Sequence, residues 1–116
     1  MRIYDLERRT SEFAMDVRQL VKRLPMNPWN KEDGKQLIRS SGSIGANYLE
    51  GNEGVSRKDF VLRLKIAKKE SRESGYWLGI LDVGSSVVLA KERGRLTAEA
   101  GELVRIFGAI IGKVVV

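Results

Sequence analysis

The chain has 116 residues, of which 42% are hydrophobic and 31% are charged, and its formal net charge is +6. These values are typical of one globular domain, so we expect residues 1–116 to form a single domain. The sequence contains no cysteine and no histidine. Disulfide bonds and thiolate metal sites are therefore excluded, and the usual general base and the commonest metal ligand are missing.

Two segments bear on cellular location. The N-terminal segment, MRIYDLERRTSEF, carries charges where a signal peptide needs an apolar core. The most apolar segment, Tyr76 to Ala90, is about 15 residues long and contains Asp82, whereas a membrane span needs roughly 20 apolar residues. We therefore expect a cytoplasmic protein without membrane contact, in which this segment is part of a buried helix.

The first predicted helix runs from about Asp5 to Leu24, and two prolines, Pro25 and Pro28, end it. Its apolar residues recur every three or four positions, as expected for one buried helix face. These residues are Leu6, Phe13, Val17, Leu20 and Leu24.

The second predicted helix extends to about Glu50. Asn30 is the predicted N-cap, because it is followed three residues later by Asp33. Residues 51–55, GNEGV, then have the composition of a turn.

The third predicted helix is the longest, from Ser56 to Ala90, because its apolar and small residues alternate four and three positions apart without a break. Ser56 and Asp59 form an S-x-x-D start signal. The predicted core positions are Phe60, Leu64, Ala67, Ser71, Ser74, Leu78, Leu81, Ser85 and Val88.

The last predicted helix follows a turn at KERGRL, residues 91–96, and Thr97 is its predicted cap. The same apolar spacing continues to Val114, and no segment has the alternation of a strand. Four helices joined by short loops predict an all-α, up-and-down antiparallel four-helix bundle.

Residues 36–51, QLIRSSGSIGANYLEG, combine two glycines with an otherwise helical pattern. Glycine inside a helix costs ~1 kcal/mol relative to alanine, so Gly42 and Gly45 require a compensating gain. Close approach of another helix supplies that gain. The alternatives, a phosphate loop or a G-x-x-G nucleic-acid clamp, need neighbouring strands that the sequence lacks, and the phosphate loop also needs a lysine directly after the glycines.

The expected partner of this thin helix face is the third helix, which has small residues of its own. If the chain folds back around Glu53, Ser40 lies opposite Ala67, and Asn47 lies near Arg63. Asn47 and Glu50 are then partly buried and need partners. The residues assigned to this helix packing are Gly42, Ser43, Gly45, Asn47, Glu50, Ala67, Ser71 and Ser74.

Basic residues are concentrated in the third helix. Residues 56–72 contain seven Lys or Arg residues against two acidic ones, a net charge of +5. At 100° per residue, four of the basic side chains point away from the core seam. These are Lys58, Lys65, Lys69 and Arg72, although Lys69 could pair with Glu73 at i, i+4. A basic surface attracts nucleic acid, anionic lipid or an acidic protein. The alternative is that these residues form a solvated helix face without a binding role.

The third helix also carries a second apolar stripe, away from the core seam. Two apolar stripes imply two burial partners, and one partner can be another subunit. The alternative is a helix at the centre of the bundle that is covered on both sides. The predicted oligomer-interface residues are Leu62, Ile66, Trp77 and Ile80.

Catalytic chemistry has little support in the sequence. Glu70 and Glu73, with Glu50 on the neighbouring helix, suggest a carboxylate metal site, but ferritin-like sites combine glutamates with histidines. The serines have no histidine to activate them. They are Ser40, Ser41, Ser43, Ser71 and Ser74. We therefore expect a non-enzymatic protein with no cofactor and no metal.

Two segments resemble a known bacterial family. The first is S-I-x-A-N-x-x-E, at residues 43–50, and the second is K-E-x-x-E-x-x-Y-W-L, at residues 69–78. Together they resemble the four-helix-bundle proteins encoded in intervening sequences of 23S ribosomal RNA genes. The resemblance runs from YDLERRTSEFA near the start to ELVRIFGAIIGK near the end, and so covers nearly the whole chain.

The resemblance implies an up-and-down four-helix bundle that assembles into a ring-like pentamer. It also implies distant similarity to the accessory variability protein of diversity-generating retroelements, a basic pentameric barrel that binds nucleic acid and a reverse transcriptase. The biochemical function of the family itself is unassigned, because its name records gene location. We therefore expect a homo-oligomer that binds RNA or DNA weakly through the basic face, or alternatively a protein-interaction scaffold without nucleic-acid binding.

Overall fold

Four α-helices form the part of the chain that the structure describes. The computed structural model describes residues 5–54 and 56–115, so the first four residues, Val55 of the predicted turn and Val116 lie outside it. The helices are α1 (Leu6–Arg23), α2 (Pro28–Asn52), α3 (Arg57–Ile80) and α4 (Val87–Val114). Each helix packs against the next in sequence, and α4 also packs against α1. The predicted all-α four-helix bundle is therefore confirmed, and its dimensions are 47 × 25 × 20 Å.

The start of α2 differs from the prediction that Asn30 is the N-cap. The cap is Asn27, whose side chain accepts a hydrogen bond of 2.8 Å from the backbone N–H of Asn30. Pro28 begins the helix, because proline is tolerated at the first helical position, where its missing N–H has no intrahelical partner.

Asn30 instead connects the two loops at one end of the bundle. Its side chain is buried and donates to the carbonyls of Pro25 and Asp82, at 3.0 and 2.8 Å. It also accepts a bond of 2.9 Å from the backbone N–H of Asp82. Asn30 thus ties the α1–α2 loop to the α3–α4 loop, and Asn27 adds a hydrogen bond of 3.1 Å to the carboxylate of Asp82.

The prediction that the third helix is longest is wrong, because α3 ends at Ile80 and not near Ala90. Residues 81–86 form a loop in which Gly84 adopts a φ of +63°, a conformation that favours glycine. Ser86 then caps α4 by accepting a bond of 3.1 Å from the N–H of Leu89. With 28 residues against 24, α4 is longer than α3.

The predicted turn at residues 91–96 lies inside α4. Thr97 is not a cap, because its hydroxyl donates to the carbonyl of Arg93, one turn earlier in the same helix, at 2.8 Å. Arg93 itself donates to the carbonyl of Leu81 at 2.6 Å, which holds the α3–α4 loop against α4.

The core is built from the inward faces of all four helices. Phe13, Leu64, Leu96 and Phe107 are among the fully buried side chains, as the apolar spacing predicted. In α3 the buried leucines, Leu64 and Leu78, lie on either side of the small buried residues Ala67, Ser71 and Ser74. The hydroxyls of Ser40 and Ser74 meet across the α2–α3 contact at 2.9 Å. Among the described residues, every buried side-chain nitrogen or oxygen has a hydrogen-bond partner.

Candidate nucleic-acid interface

Seven exposed residues define what we call the outer face of α3. Their spacing of three or four positions brings them to one side of the helix, because an α-helix has 3.6 residues per turn. They are Lys58, Leu62, Lys65, Lys69, Arg72, Tyr76 and Ile80. The acidic residues of α3, Asp59, Glu70 and Glu73, lie outside this face and are buried or half-buried.

The four cations predicted to contact nucleic acid, Lys58, Lys65, Lys69 and Arg72, are all exposed on the outer face of α3. Within residues 5–54 and 56–115, none of them lies within 4.0 Å of an acidic oxygen. The pairing with Glu73 that could have occupied Lys69 is absent there, since Glu73 pairs with Arg39 of α2. The structure therefore places the four cations together on one solvent-facing surface.

The four predicted interface residues do not form a separate stripe. Leu62 and Ile80 are 54% and 46% exposed and lie on the outer face among the cations. Ile66 and Trp77 are only half-exposed, and Trp77 packs against the core. Apolar and basic residues therefore share one helix face.

The inward side of α3 uses its charges differently. Arg39 of α2 reaches Glu70 at 3.4 Å and Glu73 at 3.1 Å. The Glu70 side chain is only 10% exposed, and this burial, together with the neighbouring Glu73, raises the pKa of Glu70 although Arg39 opposes the shift. The hydrogen bond to Glu70 in turn raises the pKa of Arg39. The two glutamates that suggested a metal site thus hold an arginine of the neighbouring helix.

No group of three or more acidic residues that could hold a metal ion occurs in the described part of the chain. Glu50, the third member of the suggested carboxylate set, is exposed. The prediction that Glu50 is partly buried in the α2–α3 contact is therefore wrong. Glu50 lies near the C-terminal end of α2, on the side of the helix that faces solvent.

Gly45 packs closely against a neighbouring helix, but this helix is α1 and not the third helix as predicted, and Gly42 has no close neighbour. A β-carbon at position 45 would lie 2.8 Å from Oγ1 of Thr10 in α1, too close for any side chain without a shift. At position 42 the nearest atom would be Nη2 of Arg18, also in α1, at 3.9 Å, which is ordinary contact. Gly45 therefore permits the close approach of α1, whereas Gly42 has room for a methyl group.

The α2–α3 contact contains the remaining residues assigned to helix packing. Ala67, Ser71 and Ser74 are buried there or in the adjoining core, and Ser43 is half-buried. Ser40 pairs with Ser74, further along α3 than the expected Ala67. Asn47 is half-buried and, as expected, lies near Arg63, from which it accepts a bond of 3.2 Å.

Two residues on or near the outer face of α3 were not predicted from the sequence. Arg39 was not singled out, because its partners lie on another helix more than 30 positions away in the chain. Tyr76 begins the apolar segment that was expected to be part of a buried helix, yet it is 62% exposed. Its spacing of four from Arg72 was the available signal, since i, i+4 residues share one helix face.

The fold and this surface define a class of protein: a small four-helix bundle with one cation-rich helix face. A family model described as "23S rRNA-intervening sequence protein" matches residues 4–107. The chain belongs to this family, which confirms the resemblance seen in the sequence. No curated protein matches the chain.

A solved structure supports the same assignment. The crystal structure of a protein with unknown function from the S23 ribosomal protein family of Bacteroides thetaiotaomicron is similar to this chain, with a TM-score of 0.78 and 29% sequence identity. The similarity covers 97% of this chain and 99% of that chain. In the described part of our chain, no helix is long and apolar enough to cross a membrane.

Proposed function

We propose that the protein is a non-enzymatic cytoplasmic protein that binds nucleic acid, with little sequence preference, through the outer face of α3. The observation that carries this proposal is that Lys58, Lys65, Lys69 and Arg72 are exposed together, with no acidic partner among the described residues. Cations of this kind bind phosphates by releasing the counterions that surround nucleic acid.

The spacing of the cations suits a phosphate backbone. From Lys58 to Arg72 the face extends roughly 21 Å, at 1.5 Å per residue, which spans about six phosphates of one DNA strand. Lysine ammonium groups supply charge without reading base edges, so affinity should depend little on sequence. If all four cations contact phosphates, the affinity of one chain for duplex should fall by roughly 100-fold between 50 and 200 mM salt.

We further propose that the protein forms a homo-oligomer, and the pentamer implied by the family resemblance is our specific expectation. Exposed Leu62 and Ile80, with half-exposed Ile66 and Trp77, support an interface along one edge of α3. Leu62 and Ile80 lie among the cations. Binding of nucleic acid by the oligomer therefore requires an assembly that leaves Lys65, Lys69 and Arg72 open to solvent. Analytical ultracentrifugation at micromolar concentration should show a species several times the 13.0 kDa monomer. A monomer alone would remove this part of the proposal.

The second candidate function is a protein-interaction scaffold without intrinsic nucleic-acid binding. The apolar side chains of Leu62 and Ile80 between the cations favour it, since a protein partner can bury both kinds of group. A pull-down from the native host, with and without nuclease, separates the two functions. Nuclease should release the captured material if nucleic acid is the partner and should leave it unchanged if a protein is.

The direct test of nucleic-acid binding uses the purified protein alone. Fluorescence anisotropy with labelled single- and double-stranded RNA and DNA should show binding at about 50 mM salt and a steep loss at physiological salt. Replacing Lys58, Lys65 and Arg72 together with glutamine should abolish it, while circular dichroism and oligomer size stay unchanged. If the wild-type protein binds none of the four probes at low salt, the scaffold function replaces this one.

A further inference from the structure

An open groove of about 650 Å³ lies between α2 and α3, at the end of the outer face that carries Tyr76. Its lining combines cations with aromatic rings, and the residues that matter here are Gln36, Arg39, Lys69, Arg72, Tyr76 and Trp77. The acidic residue of the lining is Glu73, which pairs with Arg39, so Lys69 and Arg72 are the lining cations without an acidic partner among the described residues. The groove is therefore complementary to an anion that also has a flat apolar part.

Tyr76 is the exposed ring of this groove. It is 62% exposed, and one of its sides is braced by Trp77, with ring centroids 5.0 Å apart and an interplanar angle of 73°. Trp77 is itself packed against the core, so it offers a fixed support. A braced ring with an open side loses little conformational freedom when a second flat group stacks on it.

The polar groups around the ring are also held in place. Arg39 is half-exposed, and the carboxylates of Glu70 and Glu73 fix its guanidinium from the bundle side. Lys69 and Arg72 lie on the same helix face as Tyr76, seven and four positions before it, and have no acidic partner among the described residues. Gln36 adds an amide that can both donate and accept hydrogen bonds.

We propose that this groove binds a base of single-stranded nucleic acid, stacked on the ring of Tyr76, while Lys69 and Arg72 hold the adjoining phosphates. The inference rests on the proposed function and adds a preference to it. In a duplex the bases are stacked on each other and cannot reach a side chain, whereas an unpaired base can be splayed onto an aromatic ring. The outer face then holds either kind of backbone, and Tyr76 adds affinity only for single strands.

The test compares a 12-nucleotide oligo-dT with a 12-base-pair duplex, both labelled, by fluorescence anisotropy at about 50 mM salt. The variants are Tyr76→Ala, Tyr76→Phe, which keeps the ring, and Met15→Ala, which removes an exposed apolar side chain from α1 at nearly the same exposure, 60%. Tyr76→Ala should weaken single-strand binding about tenfold and leave duplex binding within twofold, since one stacked base contributes on this scale. Tyr76→Phe and Met15→Ala should resemble wild type.

Trp77 provides a second readout, because its ring contacts Tyr76. Tryptophan fluorescence should change when oligo-dT is added and should not change with duplex. If Tyr76→Ala binds oligo-dT as well as wild type does, the groove inference is wrong, while the proposed function stands. If wild type binds neither of these probes nor single- or double-stranded RNA, both the inference and the proposed function fail. If Tyr76→Ala changes oligomer size, the groove is a subunit contact and the inference is also overturned.

Discussion

The inward helix faces and the outer face of α3 differ in how their polar groups are partnered. Inside the bundle each buried polar side chain of the described residues has a hydrogen-bond partner, and Arg39 links α2 to two glutamates of α3. On the outer face four cations have no acidic partner within the same residues. The charged side chains of α3 therefore include two glutamates that bind a neighbouring helix and four cations that face solvent without an acidic partner among the described residues.

The first way to test this contrast is Asn30→Ala, which should have the largest effect on the free energy of unfolding. Asn30 is 5% exposed, and its side chain makes one hydrogen bond to the α1–α2 loop and two to the α3–α4 loop. Their loss should cost roughly 2–4 kcal/mol, measured by urea denaturation. Ser86→Ala is the control and should cost about 1 kcal/mol, because this side chain caps the start of α4. Equal losses in both variants would contradict the bridging role of Asn30.

Gly45→Leu should destabilise the protein by ~1–3 kcal/mol, because the β-carbon alone meets Oγ1 of Thr10 at 2.8 Å. Gly42→Ala is the matched control, since its β-carbon has no neighbour closer than 3.9 Å. It should be neutral or stabilise by up to about 1 kcal/mol through helix propensity. Thermal unfolding of both variants checks the pair. Unchanged stability in Gly45→Leu together with lost ligand binding would instead indicate a ligand-binding role for the glycine.

Glu70→Gln should change the pH dependence of stability. Burial raises the pKa of Glu70 above its ordinary value of 4.5, so the folded protein holds this proton to higher pH than the unfolded chain does. Its contribution to stability is therefore complete below about pH 4.5 and is lost as the pH rises through the raised pKa. The unfolding free energy of wild type minus that of Glu70→Gln should fall as the pH rises.

The control for this pH profile is Glu102→Gln. Arg105 lowers the pKa of Glu102. The unfolding free energy of wild type minus that of Glu102→Gln should therefore decrease as the pH falls below 4.5. The change should be small, because this ion pair is exposed. A pH-independent difference for Glu70→Gln would contradict the burial of an ionisable carboxyl at that position.

Substitutions on the outer face of α3 should have the smallest effect on the free energy of unfolding. Replacing Lys58, Lys65 and Arg72 with glutamine should leave the unfolding free energy within about 0.5 kcal/mol of wild type, because surface changes away from caps and ion pairs rarely do more. Urea denaturation checks this directly. A larger loss would mean that these cations stabilise the fold and are not free for a ligand.

Local signals in the sequence predicted much of this fold. Ser56 and Asp59 mark the start of α3, and the structure shows the side chain of Ser56 accepting from the N–H of Asp59 at 3.1 Å. The three-four spacing identified core residues in α1, α3 and α4 because one face of each helix is buried. The exposure of the four cations followed from the same helical geometry.

The α3–α4 boundary could not be found from spacing, because Leu81 is buried in the loop and continues the apolar pattern. The next predicted core positions, Ser85 and Val88, are exposed. The turn depends on Gly84 and on contacts with Asn30, which is distant in sequence. The partner of Gly45 was missed for a similar reason. A thin helix face predicts close packing, but which neighbour fills it depends on how all four helices are arranged.

The most direct test of the central claim, that the placement of charge on α3 and not total charge governs binding, compares two variants of equal net charge. One replaces Lys58, Lys65 and Arg72 with glutamine. The other replaces Lys31, Lys91 and Arg23 with glutamine. These three residues are also exposed and have no ion-pair partner among the described residues.

Both variants are titrated with the same labelled nucleic acids at about 50 mM salt. The outer-face variant should lose binding, and the control variant should keep an affinity within a fewfold of wild type, since phosphate contacts act at short range under screening. Equal losses in the two variants, or full binding by the outer-face variant, would contradict the account.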